Sequence, residues 1–236
     1  MNLILLVEDD FVAAQRVRLV GRRHAYVRDV HRAQVGTALR IGALGGRVGH
    51  GTVVALDERE LVMDVSFEHD PPPPAPLTVL LALPRPKVLR RVLQCVAAMG
   101  VKRVVLFNSW RVEKSFWESP SLADAAIRAE LMLGLEQGGD TIMPSVEQRR
   151  RFKPFVEDEV PQLIAGTRAL VAHPLATASC PAAVSQPLSV AFGPEGGFTP
   201  YEIELLCAHG FEPVSLGRRA LRVEHAVAAV LGRLCP

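Results

Sequence analysis

The sequence predicts an α/β protein in two parts, a small β-barrel followed by a larger domain on a mostly parallel sheet. Three observations predict it. A proline run, Pro71-Pro72-Pro73-Pro74-Ala75-Pro76, divides the chain. Before it, short segments alternate polar and apolar residues. After it, continuous apolar runs alternate with segments of helical period. Consecutive prolines favour an extended spacer and cannot lie inside a helix or a central strand. The expected domains are therefore 1–70 and 77–236, with a linker at 71–76.

In the first part, residues 16–20 and 37–41 alternate as half-buried strands do. Residues 52–56 and 61–65 read as a hairpin about the polar turn 57–60. A short helix over 22–31 interrupts the strands. Short strands with one helix suggest a small barrel. In the second part, 77–83 is a continuous apolar run. Residues 87–99 have helical period, with Val88, Val92 and Val96 four apart and Gly100 as the stop. A second buried strand spans 101–107, and a long helix over 121–137 ends at Gly138-Gly139. Residues 168–172 and 188–192 are further strands. Buried strands alternating with helices imply a mostly parallel α/β sheet.

Composition narrows the functional class. With 49% hydrophobic and 22% charged residues the chain is an ordinary globular one, which excludes disorder. It has no apolar run of the ~20 residues a spanning helix needs. The apolar start, Leu3 to Val7, meets Glu8-Asp9-Asp10 where a signal peptide would carry small residues. A cytoplasmic protein with no membrane partner is expected. Cys95, Cys180, Cys207 and Cys235 form no C-x-x-C pair and the histidines no cluster, so no metal is expected. The net charge is only +2. However, Arg16, Arg18, Arg22, Arg23, Arg28, Arg32, Arg40 and Arg47 occupy a stretch whose only acid is Asp29. Such a surface attracts phosphates, and Arg22, Arg23, Arg28 and Arg32 are the candidates for RNA contact. A solvated basic face is the plainer alternative.

Two C-terminal segments carry the chemical signal. The first runs Ser189-Val190-Ala191-Phe192-Gly193-Pro194-Glu195-Gly196-Gly197-Phe198-Thr199-Pro200-Tyr201-Glu202, a buried strand, a glycine-rich turn and a helix start. Thr199 can cap that helix, Pro200 suits its first position and Glu202 completes a capping box. Glycines allow a close backbone approach to a ligand, and such loops at strand carboxyl ends are where ligands bind. A tight turn with no ligand also satisfies the spacing. The segment is neither a P-loop nor G-x-G-x-x-G. The second segment is Ser215-Leu216-Gly217-Arg218-Arg219-Ala220-Leu221-Arg222-Val223-Glu224-His225-Ala226, a basic loop between a strand near 213–216 and a helix over 224–234. Its arginines can hold a phosphate or a developing oxyanion, or be solvated.

In this order the two segments resemble the uridine N3-methyltransferases of 16S ribosomal RNA, members of the knotted SPOUT class. The family signature is a strand ending in Gly-Pro-Glu-Gly-Gly, then Leu-Gly-x-Arg-x-Leu-Arg-x-Glu. It matches Gly193, Pro194, Glu195, Gly196 and Gly197, then Leu216, Gly217, Arg219, Leu221, Arg222 and Glu224. Leu170-Val171-Ala172-His173-Pro174 and Glu136-Gln137 match more weakly. The resemblance implies a PUA-like RNA-binding barrel, a parallel sheet with a deep trefoil knot, a homodimer, and 16S RNA or the small subunit as partner. It also implies S-adenosylmethionine as cofactor, held by His173, Phe192, the 193–197 loop, Leu216, Gly217, Arg219 and Leu221. Arg222 is the expected oxyanion stabiliser, and Glu224 either takes a proton or orients Arg222. Arg218 stands in place of a family proline, and Val223 and His225 in place of threonines. Gly138-Gly139-Asp140 replaces Cys-Gly-Arg, and Cys95 and Met99 stand where a lysine and a glutamate are usual. These departures bear on the target nucleotide more than on cofactor or fold. A non-catalytic RNA-binding or ribosome-assembly protein on the same fold is the alternative; a generic nucleotide-binding enzyme would want a phosphate loop.

Overall fold

In the computed structural model, which describes residues 2–235, the alternating N-terminal segments form one six-stranded sheet. Met1 and Pro236, the outer bounds of the expected domains, lie outside the described residues. The strands are β1 (Ile4–Leu6), β2 (Phe11–Ala13), β3 (Arg16–Leu19), β4 (Ala38–Ala43), β5 (Val48–Leu56) and β6 (Leu61–His69), in the order β1-β4-β5-β6-β3-β2. β1 is parallel to β4, and the other pairs are antiparallel. The two-residue period puts Val17, Leu19, Leu39, Ile41, Leu61, Met63 and Val65 on one buried face, with Ile4, Leu6 and Val27. β1 and β2 are the edges of this sheet, whereas a closed barrel would pair its first and last strands. Neither edge strand is long enough to show alternation in the sequence. Between β3 and β4, helix α1 (Gly21–Tyr26) runs into a wider turn, Val27–His31, and stops at Arg32, whose backbone is left-handed at φ 51°.

One strand contact is tight enough to test. A Cβ at Gly49 would stand 1.9 Å from the Ser66 carbonyl oxygen, on the facing backbone of β6. Neither backbone can yield without breaking the β5–β6 ladder. Gly49→Ala is therefore expected to cost about 3 kcal/mol or more, the upper end of ordinary overpacking. A fall in the urea midpoint measures it, and an unchanged midpoint would refute the close approach.

The chain separates into two compact units, Met1–Pro73 with Met132–Met143, and Pro74–Leu131 with Pro144–Pro236. Residues 132–143 thus belong with the first unit, a division the proline run alone does not reveal. Local hydrogen bonds explain it. The N–H groups of Asn2 and Leu3 donate to the Glu136 carbonyl at 2.9 and 3.0 Å, and Gly45 N–H donates to the Thr141 carbonyl. Arg22 also donates to both oxygens of the buried Glu136 carboxylate, at 2.9 and 2.7 Å. Burial pushes the Glu136 carboxyl upward, and the Arg22 charge opposes that rise.

In the second unit the apolar runs form an all-parallel sheet. Its strands are β7 (Leu77–Ala82), β8 (Arg103–Phe107), β9 (Ser145–Arg149), β10 (Arg168–Ala172), β11 (Leu188–Phe192) and β12 (Glu212–Val214), in the order β12-β10-β11-β7-β8-β9. The helices are α2 (Pro86–Ala98), α3 (Asp124–Gly138, which continues into the first unit), the short α4 (Phe152–Pro154) and α5 (Val160–Leu163), α6 (Pro200–Ala208) and α7 (Val223–Leu234). Every residue of β11 is buried, as expected for a central parallel strand. β9 escapes a hydrophobicity reading because it is an edge, with Glu147 of its Ser-Val-Glu-Gln-Arg sequence paired to Arg103 and Arg149. Phe107, at the end of β8, is fully buried against Phe155 and Phe152 and stacks on Phe198 at 6.2 Å between ring centroids. Among the described residues, no helix is long and apolar enough to cross a membrane, and no group of three or more His, Cys, Asp or Glu is placed to hold a metal.

Candidate active site

Parallel strands all end on one edge, and the loops leaving that edge converge. In the second unit four of them do so. His173 to Leu175 follow β10, Gly193 to Phe198 follow β11, Ser215 to Leu221 follow β12, and Arg111 lies four residues beyond β8. With Val223, Ala226 and Val230 of α7 they enclose a cavity of about 350 Å³, at the lower end of the ~300–1,000 Å³ typical of small-molecule sites.

The local chemistry of the glycine loop explains how it is held open. Thr199 accepts from Glu202 N–H, and the Glu202 carboxylate accepts from Thr199 N–H at 2.8 Å, which fixes the start of α6. Glu202 is buried, and its other oxygen accepts from the backbone N–H of Trp110 at 2.7 Å, so the β8 loop is tied to the same helix end. Gly197 has φ 70° and Gly217 φ 116°, conformations L side chains rarely adopt. The Glu195 carboxylate accepts from Arg85 N–H, at the start of α2. The Arg111 guanidinium donates to the Gly196 carbonyl, and a Cβ on Gly196 would meet the Arg111 side chain at 3.0 Å.

His173, Phe192, Gly193, Pro194, Glu195, Gly196, Gly197, Leu216, Gly217, Arg219 and Leu221 all line this cavity. The sequence reading missed Arg111, Phe198 and the apolar face of α7. Arg111 stands some eighty positions upstream of the glycine loop, with no motif around it. Only the hydrophobic period of α7 pointed to its lining face. Arg222 does not line the cavity. It follows Leu221, which does, and precedes the first residue of α7. Its side chain is exposed and makes no ion pair among the described residues. Glu224 is the second residue of α7, largely buried, and pairs with Arg91 of α2 at 3.4 Å rather than with Arg222.

The arginines of the first unit are placed differently from what a bare sequence suggests. Arg22 pairs with Glu136, Arg28 with Asp29, and Arg23 with Asp10 at 2.6 Å while also donating to the Leu5 carbonyl. Arg16 and Arg47 pair with Asp64 and Asp70. The acids missing from the 16–47 stretch are thus supplied from elsewhere in the fold. Of the four candidates for RNA contact, Arg32 is exposed and without an ion pair among the described residues.

A family model described as RNA methyltransferase domain matches residues 71–235. The chain belongs to that family. The match takes in the whole cavity and all three loops that follow β10, β11 and β12. The chain is also 27% identical to the ribosomal RNA small subunit methyltransferase E of Treponema pallidum (strain Nichols), over 97% of this chain and 88% of that protein. It is 26% identical to the protein of the same name from Synechocystis sp., over 98% and 76%. Among solved structures, a ribosomal RNA small subunit methyltransferase E from Neisseria gonorrhoeae, bound to S-adenosylmethionine, superposes with TM-score 0.72 at 19% identity, covering 98% of this chain and 95% of that one. At that identity the likeness shows a shared fold.

Proposed function

We propose that this protein methylates RNA of the small ribosomal subunit at N3 of a uridine, with S-adenosylmethionine as methyl donor. The observation that carries the reading is the cavity, where the two segments of the family signature meet the loop after β10. The names of the Treponema and Synechocystis relatives, and the cofactor of the Neisseria structure, support it.

The residues present fit the cofactor. Gly217 leaves open space where a Cβ would stand, and Leu216, Leu221, Ala226 and Val230 give an apolar slot for an adenine ring. Backbone groups of the 193–197 loop and of Leu216 and Gly217 would take its polar edges. When bound, the cofactor supplies an electrophilic methyl group on a sulfonium sulfur. The chain's task is then to present N3 of the base in line with that methyl, and positioning alone supplies much of the rate. As N3 loses its proton, negative charge spreads onto the uracil carbonyl oxygens. Arg222, solvent-exposed beside the cavity lining, would donate to them. A guanidinium stays protonated and is no base. Glu224, two residues from Arg222 and anchored to α2 through Arg91, would take the proton, although it does not itself line the cavity.

The remaining features belong to the same proposal. Supporting a trefoil knot, β11 lies between β7 and β10 although it follows both in the chain. The first unit, read as a PUA-like domain, would bring RNA to the site, with Arg32 available to phosphate. A homodimer in the cytoplasm would complete it, a state that light scattering measures directly.

Isothermal titration with S-adenosylmethionine tests the reading at its base. Wild-type protein should bind saturably at micromolar concentrations. Gly196→Val pushes a branched side chain onto Arg111 and should weaken binding by roughly five- to a hundredfold, the equivalent of about 1–3 kcal/mol of overpacking. A folded wild-type sample with no affinity for the cofactor would end the proposal.

A further inference from the structure

The chain has two tryptophans, and they are placed oppositely. Trp117 is buried, its indole N–H donating to the Asn108 side chain at 2.9 Å and its ring covered by the Arg150 guanidinium. Trp110 is 83% exposed. Lone exposed apolar residues are common and mean little by themselves. Three features set Trp110 apart. Its backbone N–H is held at 2.7 Å by the carboxylate of Glu202, which is 2% exposed, so the ring is carried on a fixed support. The next residue, Arg111, lines the cavity and donates to the Gly196 carbonyl, which puts Trp110 at the cavity's edge. Tyr201, the neighbour of Glu202 on α6, is a second aromatic with more than half its surface in solvent. Arg111, next to Trp110 in the chain, and Arg219 both line the cavity, and both can attract a polyanion.

A solvent-facing indole on an anchored backbone, beside an arginine-lined cavity, has the composition of a stacking platform for single-stranded nucleic acid. Every base has a π-face, and arginines track the phosphates beside it. We infer that Trp110 stacks on an unpaired base of the RNA substrate next to the nucleotide presented to the cavity. The inference rests on the RNA methyltransferase reading and deepens it. Trp110 itself is a positioning residue, since it lines no part of the cavity. By gripping a flanking base it would hold the target nucleotide extruded, which restricts the substrate to RNA that is single-stranded at that point.

The two tryptophans make the test direct. Fluorescence of the full chain is followed as a uridine-containing single-stranded oligoribonucleotide is added at low salt, and a duplex of the same composition is added separately. The single strand should quench the exposed, red-shifted emission, and the duplex should not. Trp110→Ala should weaken single-strand binding roughly five- to a hundredfold, the range measured for loss of one stacked base. Trp110→Phe should recover most of that loss, because stacking needs only an aromatic face. Affinity for S-adenosylmethionine should stay within about twofold of wild type in both variants, because Trp110 lines no part of the cavity. Equal quenching by the duplex would overturn the inference. So would RNA binding and methyl transfer that are unchanged in Trp110→Ala, an outcome that leaves the methyltransferase reading standing. A change of oligomeric mass in Trp110→Ala without RNA would assign the ring to a contact between copies instead. Failure of wild-type protein to bind any RNA would overturn both readings together.

Discussion

Arg222→Ala should lower the rate of methyl transfer by about a hundredfold or more, the cost of removing one preorganised donor from a developing oxyanion. Affinity for S-adenosylmethionine should change little, because Arg222 lies just outside the residues that line the cavity. Stability should also hold, since the side chain is exposed and makes no capping bond at the start of α7. Arg222→Lys restores charge but not the planar fork, so it should recover only part of the rate. Single-turnover kinetics at saturating cofactor separate the chemical step from binding. A wild-type rate in Arg222→Ala would remove this residue from the mechanism and turn attention to Arg219, which does line the cavity.

Phe107→Ala is expected to have the largest effect on stability, about 3–5 kcal/mol, the usual cost of emptying a buried phenylalanine site. Its ring joins Phe152 and Phe155, on the segment after β9, to Phe198, at the end of the glycine loop. The cavity left behind would therefore free Phe198, whose ring stands 3.2 Å from where a Cβ on Gly193 would be. Cofactor affinity should fall along with the melting temperature, unlike in Arg222→Ala. Denaturant unfolding with and without S-adenosylmethionine measures both losses. If affinity is kept while stability drops, the stack on Phe198 does not shape the loop.

What was legible in the sequence follows from where each signal resides. Strands 168–172 and 188–192 could be read to the residue because both faces of a central parallel strand must be apolar. The start of α6 was equally plain, since a capping box is written in four consecutive residues. The glycine loop and the loop after β12 were readable because their special backbone needs particular residue types. Arg111 was not, because its role depends on a loop eighty positions away meeting it in space. Nor were the partners of Arg22, Arg23 and Arg16. Asp10, Asp64 and Glu136 lie outside the basic stretch, so local charge overstated how much of it is free. Edge strands failed for other reasons: β1 and β2 have three residues each, too few to show a period, and β9 is polar because it lies at the rim of its sheet.

The order of strands in the second unit has a consequence for how the protein is made. β11 occupies the centre of its sheet, hydrogen-bonded to β7 on one side and β10 on the other. A ribosome delivers both neighbours before it delivers β11. Until residues 188–192 emerge, the growing chain carries two strands whose inner edges have nothing to pair with, and they must be kept apart or reopened. The cavity cannot exist at that stage, because two of its loops are not yet synthesised. Catalytic competence therefore arrives late and all at once, and contacts between strands distant in sequence make its assembly slow.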